Sequence, residues 1–330
     1  MILERREPLM KTAVVTGCAG FIGSHLSERL VARGVKVIGV DAFTPFYDPA
    51  EKLSNLAALA HEPSFDLVEL DLADADLGPL VAQADVVFHL AAQAGVRSSF
   101  GDGFARYARD NLVATQRVFE AAADASCRRV VWASSSSVYG DADVYPCVEA
   151  TTPTHPRSPY GVTKRACEDL AEVYRIQGLS VVGLRYFTVY GPRQRPDMAI
   201  RRLCEALVAQ GTFPLYGDGG QSRDITYVDD VVSATILAGS VSNPEAVYNV
   251  GGGHEVALSD VIAMLEGIAG EPIAIEHHEV QLGDVRRTGA DTCSAQQALG
   301  WRPQVVLADG LRNQLAWVRA SAAARSLPAV

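Results

Sequence analysis

TAVVTGCAGFIGSHLSERL, residues Thr12–Leu30, is the stretch that decides the fold. A short run of β-branched residues leads directly into Gly17, Gly20 and Gly23, and the glycines lead into a segment of helical length, Ile22 to Arg33. A strand that turns on glycines into a helix is the opening half of a β-α-β unit. The same alternation continues outward along the chain. VKVIGV (35–40) precedes a helix-length segment around Pro49 to Ala60. FDLVEL (65–70), ADVVFHL (84–90), RRVVWAS (128–134) and LSVVGLRYF (179–187) then follow in turn. Continuous apolar strands separated by helices predict a parallel sheet covered on both faces. Right-handed crossovers make that sheet doubly wound, a Rossmann-type α/β fold.

Beyond Phe187 the pattern loosens, with glycine and proline punctuation in YGPRQRP (190–196) and YGDGGQSRD (216–224). Strand and helix signals resume at DITYV (224–228), AVYNV (246–250) and Leu258 to Ile268. The expected organisation is a dinucleotide-binding domain over residues 11–187 and a smaller C-terminal substrate-binding α/β lobe over most of 188–330. Strands near 224–250 are expected to return to the first domain. Internal repeats and low-complexity linkers are absent from the sequence, so separable modules are not expected.

The glycine turn permits close approach of the main chain and points N–H groups at the helix start toward a pyrophosphate. Taken alone it is equally a structural strand-to-helix connection. Asp41, at the end of VKVIGV, changes the balance, because a carboxylate about 20 residues downstream can accept hydrogen bonds from an adenosine ribose. A 2′-phosphate there would meet like charge, so NAD is expected rather than NADP. Asp71-Leu72 ends the next strand and is a candidate neighbour of the adenine, the alternative from spacing alone being an ordinary solvated loop acid. Phe21, Ile22, Leu90, Ala91 and Ala92 complete the expected cofactor contacts.

The 330 residues carry a formal net charge of −10, which disfavours nucleic acid as a partner. Residues 1–10 hold charges but no apolar run of signal-peptide length, Met10 is a second candidate start, and no segment is long and apolar enough to span a bilayer. The six cysteines show neither CxxC pairs nor compact spacing, and the seven histidines lack metal-ligand spacing. Reduced thiols, a cytoplasmic location and no metal are expected.

In SPYGVTK (158–164), Tyr160 and Lys164 stand four apart and share one helix face. An ammonium there favours the phenolate, making Tyr160 a usable general base near neutral pH. Such a pair is common by chance, and gains meaning beside ASSSSVYG (133–140), which follows a strand and sits at the sheet edge where ligands bind. With these residues the chain resembles the extended short-chain dehydrogenase/reductase family that acts on nucleotide sugars, from the glycine turn to GDVRRTGAD (283–291). The resemblance implies that Tyr160 is the base, Lys164 its tuner and a ligand of the nicotinamide ribose, and Ser135 the partner of the sugar hydroxyl. It also implies a 4-keto sugar made and consumed through bound NAD.

Membership does not select the reaction. In the family's 4,6-dehydratases an Asp-Glu pair follows the catalytic hydroxyl, and decarboxylases of UDP-glucuronate carry a glutamate at the second of those positions. Here Ser136 and Ser137 stand there, which leaves epimerisation. DAFTPFYDP (41–49), HLAAQAGVR (89–97) and RYFTVYGPRQRPDMA (185–199) resemble the UDP-glucuronate 4-epimerase branch. UDP-galactose 4-epimerases usually have asparagine where Thr188 lies. Ser136, Ser137 and Thr188 are therefore expected to hold the uronate carboxylate out of line with the 4-keto group and so suppress decarboxylation.

Arg193, Arg195, Arg201 and Arg202 cluster after the YGP turn. The resemblance places Arg223 and Arg286 on the diphosphate, Asp284 on the uridine ribose, and Leu215-Tyr216 along the uracil. Arg193 is assigned to the substrate, and Arg97 to either the diphosphate or the uronate. His89 is expected to be a packed element and not a base. The helices Phe104 to Ala123 and Tyr160 to Gln177 resemble those that pair in the family's homodimers. The alternatives are a 4-epimerase or decarboxylase of another nucleotide sugar, and a non-catalytic NAD-binding sensor.

Overall fold

The computed structural model describes residues 10–279 and 285–326. The first part of the chain alternates strands and helices: β1 (Thr12–Thr16), α1 (Phe21–Ala32), β2 (Lys36–Asp41), α2 (Pro49–Asn55), β3 (Phe65–Glu69), α3 (Gly78–Val81) and β4 (Val86–His89). It continues with α4 (Phe104–Tyr107), α5 (Ala114–Asp124), β5 (Arg129–Ser135), α6 (Pro159–Ile176) and β6 (Val181–Tyr186). The second part comprises β7 (Thr188–Tyr190), α7 (Ala199–Ala209), β8 (Thr212–Tyr216), β9 (Ser222–Tyr227), α8 (Val228–Ser240), β10 (Val247–Val250) and β11 (Glu255–Ala257). It ends with α9 (Leu258–Ala269), β12 (Ala274–His278), α10 (Cys293–Leu299) and α11 (Leu307–Ser326).

Seven strands form the main sheet in the order β10-β6-β5-β4-β1-β2-β3, all parallel. The order reverses between β1 and β4, and a ligand crevice opens at such a switch point. Successive strand residues feed opposite cores, as a sheet covered on both faces requires. Ala13, Val15, Val86, Phe88, Val182 and Leu184 enter the core beneath α1 and α8. Val14, Val87, Val130, Trp132 and Val181 enter the opposite core with Phe119 of α5 and Cys167 of α6. Burying a side chain the size of Phe88 contributes about 2–3 kcal/mol, so this alternation fixes the register of the central strands.

Of the strands near 224–250, β10 lies in the main sheet beside β6, whereas β9 pairs with β7 and β11 in a separate three-stranded sheet. A two-stranded parallel sheet of β8 and β12 packs with α7 and α9 in the C-terminal part. The helix expected over Phe104 to Ala123 is not uniform. Between α4 and α5 the turns of Ala108–Val113 widen to a π-helix around fully buried Asn111. The Asn111 side chain accepts from the Gln93 amide at 2.7 Å and donates to the Gln93 carbonyl and Thr163 Oγ1 at 3.0 Å each. The widened turn thus coincides with a side chain that fastens helix to loop and to α6. No described helix is long and apolar enough to cross a membrane.

Candidate active site

The glycine turn is shaped by steric necessity. Gly17 has φ +70°, and a Cβ built on it would lie 2.8 Å from the Ala91 nitrogen. A Cβ on Gly23 would lie 2.0 Å from the Gly17 carbonyl oxygen. Gly20 closes the turn by donating its amide to that same carbonyl at 3.0 Å. Together these contacts leave main chain, and no side chain, at the start of α1.

One cavity, about 120 Å³, lies at the Asp41 side and is lined by Gly17, Asp41, Lys52, Asp71, Leu72, Leu90, Ala91 and Ala92. A second, about 370 Å³, is lined by Gly17, Phe21, Ile22, Gly23, Leu90, Ala92, Ser135, Tyr160 and Lys164. Gly17, Leu90 and Ala92 are shared, so one groove runs from Asp41 past the glycine turn to Tyr160. This is the extended, main-chain-lined site that a dinucleotide needs. Asp41 accepts from the amides of Ala19 at 3.2 Å and Phe43 at 2.8 Å, and buried Lys52 lies 3.7 Å from it. At Asp71 burial opposes the charge, but hydrogen bonds from Arg109 at 2.9 Å and from the Ala73 amide at 3.0 Å, with the Arg109 charge, together outweigh it and hold the carboxyl below its ordinary range.

Tyr160 and Lys164 occupy the first turns of α6, whose N-cap Ser158 accepts from the Gly161 amide. A Cβ on Gly161 would lie 2.7 Å from the Ser137 carbonyl oxygen, so the helix can rest directly on the ASSSSVYG turn. Lys164 is 3% exposed, its ammonium donates to the Ala133 carbonyl at 2.8 Å, and it lines the same cavity as Tyr160. The Tyr160 ring meets Tyr107 edge to face, with centroids 6.1 Å apart. Ser135 ends β5 and accepts from the Ser137 amide at 3.1 Å. Beneath them Ser134 donates to Glu168 at 2.7 Å, and Glu168 takes a two-pronged ion pair from buried Arg185 at 2.8 Å on each prong. His89 lies between Thr16 and Thr115 at 2.8 and 3.0 Å. Burial first, and Lys164 second, push its pKa down to about 3, so it is a neutral packed residue.

The C-terminal part adds a cavity of about 580 Å³ lined by Phe46, Arg97, Thr188, Asp197, Arg202, Phe213, Tyr216 and Arg223, among others. A smaller space of about 200 Å³ joins Ser136, Ser137, Thr188 and Arg223 to Val285 and Thr288. Thr188 lines all three spaces on this side, and Ser136 and Ser137 line two of them. The neutral hydroxyls expected to act together therefore converge beside Tyr160. Arg97 stacks over Tyr216, its guanidinium carbon 4.4 Å from the ring centroid.

Several expected substrate contacts are placed elsewhere. Arg193 sits at φ +64°, which turns its side chain onto α1, where it donates to Ser24 and to Glu28 at 3.2 and 2.7 Å. Leu215 is buried in the core, whereas Phe213, Pro214 and Tyr216 of β8 line the large cavity. Arg286 lines a shallow depression with Asp141, Tyr145 and Arg287, while Val285 and Thr288 of the same segment line the 200 Å³ space with Ser136, Ser137 and Thr188. Asp284 lies outside the described residues. Of the arginine cluster, Arg201 is buried against Glu51 and Glu205, Arg202 lines the large cavity above the Phe213 ring, and Arg195 enters the cavity that holds Tyr160. Burial acts against the charge on Arg195, but Asp197, Tyr160 and Tyr47 together outweigh it and raise the guanidinium pKa. Sequence reading placed these arginines near one another, but the backbone turns that send each to a different destination carry no motif.

Residues 13–251 match the sequence profile of the NAD dependent epimerase/dehydratase family. The chain belongs to that family. It is 39% identical over 313 residues to a UDP-glucose 4-epimerase of Mycolicibacterium smegmatis, covering 93% of this chain and 98% of the relative. Its fold is similar to that of the UDP-glucuronic acid 4-epimerase of Bacillus cereus solved with UDP-glucuronic acid and NAD. The TM-score is 0.89 and the identity 37%, over 94% and 99% of the two chains. A protein named MoeE5, solved with NAD and either UDP-glucuronic acid or UDP-glucose, aligns with a TM-score of 0.85 at 42% identity, over 94% of this chain and 99% of that one. This family member is an NAD-dependent UDP-sugar 4-epimerase.

Proposed function

We propose that the chain interconverts UDP-glucuronate and UDP-galacturonate, carrying the nucleotide in the 580 Å³ cavity and the sugar beside Tyr160. The observation that carries this reading is the convergence of Ser136, Ser137, Thr188 and Arg195 on the space in front of Tyr160. Three hydroxyls and a guanidinium suit a carboxylate, and the serines leave the elimination of water without an acid-base pair. The B. cereus enzyme and MoeE5, both solved with UDP-glucuronic acid, support the same substrate.

In this reading Tyr160 takes the proton of the 4-hydroxyl, Ser135 orients that hydroxyl, and Lys164 steadies the phenolate from its anchor on Ala133. Gly17, Phe21, Ile22, Gly23, Asp41, Asp71, Leu72 and the Leu90–Ala92 turn would hold NAD, which when bound would supply the hydride acceptor and donor for carbon 4. Tyr160 returns the proton after the keto sugar has presented its other face. Ser136, Ser137 and Thr188 hold the carboxylate away from the carbonyl π system, in which alignment a β-keto acid would lose carbon dioxide. Arg223, Arg202 and Arg97 offset the diphosphate charge in an acidic protein.

Val162, Val173 and Ile176 of α6, with Phe104 and Val113 on the neighbouring helical segment, are exposed, and we assign this apolar face to a homodimer. Six free cysteines, five of them buried, fit a reducing cytoplasm.

Incubation with UDP-glucuronate and no added reductant, followed by proton NMR, tests the function. The expected product is UDP-galacturonate without net change in NAD. A protein that leaves UDP-glucuronate untouched while converting UDP-glucose to UDP-galactose would replace this reading with the neutral-sugar one. The M. smegmatis relative favours that second reading.

A further inference from the structure

The cation closest in kind to a carboxylate receptor is already holding a carboxylate. Arg195 Nε and one terminal nitrogen each lie 3.0 Å from the two oxygens of Asp197, a fork-to-fork pair. Both residues line the cavity of Tyr160, Ser136, Ser137 and Thr188, and Asp197 also lines the nucleotide cavity. The turn beneath them is tied down. Gln194 donates to the Val189 carbonyl at 2.7 Å, and the Met198 amide donates to the Arg195 carbonyl at 3.1 Å. The Arg195 side chain is 23% exposed and that of Asp197 40% exposed, so the pair sits at the wall of the cavity with one edge open to it.

We propose that Asp197 is a specificity-determining residue, an internal carboxylate that competes with the carboxylate of a bound uronate for the Arg195 fork. The proposal rests on the reading that the sugar lies beside Tyr160. Asp197 occupies the Nε-side edge of the guanidinium, leaving the edge between the two terminal nitrogens for a second carboxylate. A neutral hexose leaves the pair intact and meets no net charge there. A uronate arriving at the same guanidinium brings a second carboxylate close to the first, and the repulsion between the two weakens the uronate's hold on Arg195 for as long as the Asp197 pair stays closed. Asp197 thereby narrows the preference for the uronate and keeps the site compatible with a neutral sugar.

Asp197→Asn removes the charge at nearly constant volume. The expected result is a rise of about two- to fivefold in kcat/KM for UDP-glucuronate relative to UDP-glucose, carried by a lower KM for the uronate, the scale of a partly exposed ion pair. Asp197→Glu retains the charge and is expected to keep the wild-type ratio. In an Arg195→Met background, Asp197→Asn is expected to leave the ratio where that background sets it. An unchanged or lowered ratio in Asp197→Asn, or a raised ratio that persists without Arg195, overturns the proposal. NAD content and melting temperature of each variant separate this from misfolding.

The wild-type enzyme tests the underlying reaction independently. If it turns over UDP-glucose and not UDP-glucuronate, the proposed function falls. The competition is then read as the inhibition constant of UDP-glucuronate against UDP-glucose turnover. A two- to fivefold drop of that constant in Asp197→Asn is expected on the same scale, and no drop refutes the role of Asp197.

Discussion

At the dinucleotide end the wall of the cleft is main chain: Gly17, Gly20 and Gly23 bring the start of α1 against β4, with Ala91 and Ala92 opposite. At the nucleotide-sugar end the wall is long side chains, with Arg97 over Tyr216, Arg202 over Phe213, and Arg223 between two cavities. The first end recognises by shape and by the direction of amides, properties every residue has. The second recognises by charge and reach, properties only certain side chains have. Adding an atom should therefore do most harm at the first end, and removing atoms at the second.

Gly23→Ala is the sharpest test of the main-chain end. Its methyl would stand 2.0 Å from the Gly17 carbonyl, and both are backbone, so neither can swing aside. Overpacking of this kind costs about 3 kcal/mol, equivalent to about a hundredfold loss of NAD retention. NAD released on denaturation of the purified variant measures it, and wild-type occupancy would break the comparison.

The next effect lies behind the nucleotide-sugar wall, where Asp224 joins β9 to the two loops beside it. It accepts from the amides of Gly252 and Ala290, at 2.5 and 3.2 Å, and is 1% exposed. Burial pushes its carboxyl up to about 6, although those amides favour the charged form. The unfolded chain ionises the same acid near 3.9, so the folded protein holds this proton more tightly. Stability from this group is full below that unfolded value, falls as pH rises toward 6, and is level above it. The unfolding free energy of the wild type minus that of Asp224→Asn is expected to fall by about 2–3 kcal/mol between pH 4 and 7. A difference that does not change with pH would mean that the acid titrates normally.

The asymmetry also explains what could be read from sequence. The glycine turn, Asp41 and the Tyr160–Lys164 spacing are legible because local backbone geometry fixes their positions within one β-α unit. That Ser136, Ser137 and Thr188 line one cavity is legible because Ser135, ending β5, pairs with Tyr186, ending β6, two residues before Thr188. The arginines are not. Arg193, Arg195, Arg201 and Arg202 lie within ten residues yet point to α1, the cavity of Tyr160, a buried acid pair and the 580 Å³ cavity. A positive φ at Arg193 and the tertiary placement of α2, which carries Glu51, decide those directions. Asn111 was missed for a similar reason: its partners Gln93 and Thr163 lie 18 and 52 residues away.

Arg223→Ala deletes a guanidinium that faces both the nucleotide cavity and the sugar end. Loss of a charge-assisted contact to the diphosphate, about 1.5 kcal/mol, should raise KM for the UDP-sugar about tenfold. The kcat should change far less, because the contact is made equally before and during the chemical step. An equal fall in kcat would move Arg223 from holding the nucleotide to shaping the reacting sugar.

Arg193→Ala should have the smallest effect, although Arg193 stands two residues from Arg195 in the same arginine-rich turn. Its guanidinium already bonds Ser24 and Glu28, and its partly exposed ion pair stabilises the fold by about 0.5 kcal/mol or less. KM for the UDP-sugar should stay within about twofold of wild type, the scale of that pair, with a small drop in melting temperature. A tenfold rise in KM would show that Arg193 leaves Glu28 when substrate binds. The main-chain end of the cleft would then also depend on a side chain, since Ser24 and Glu28 belong to the helix that begins at the glycine turn.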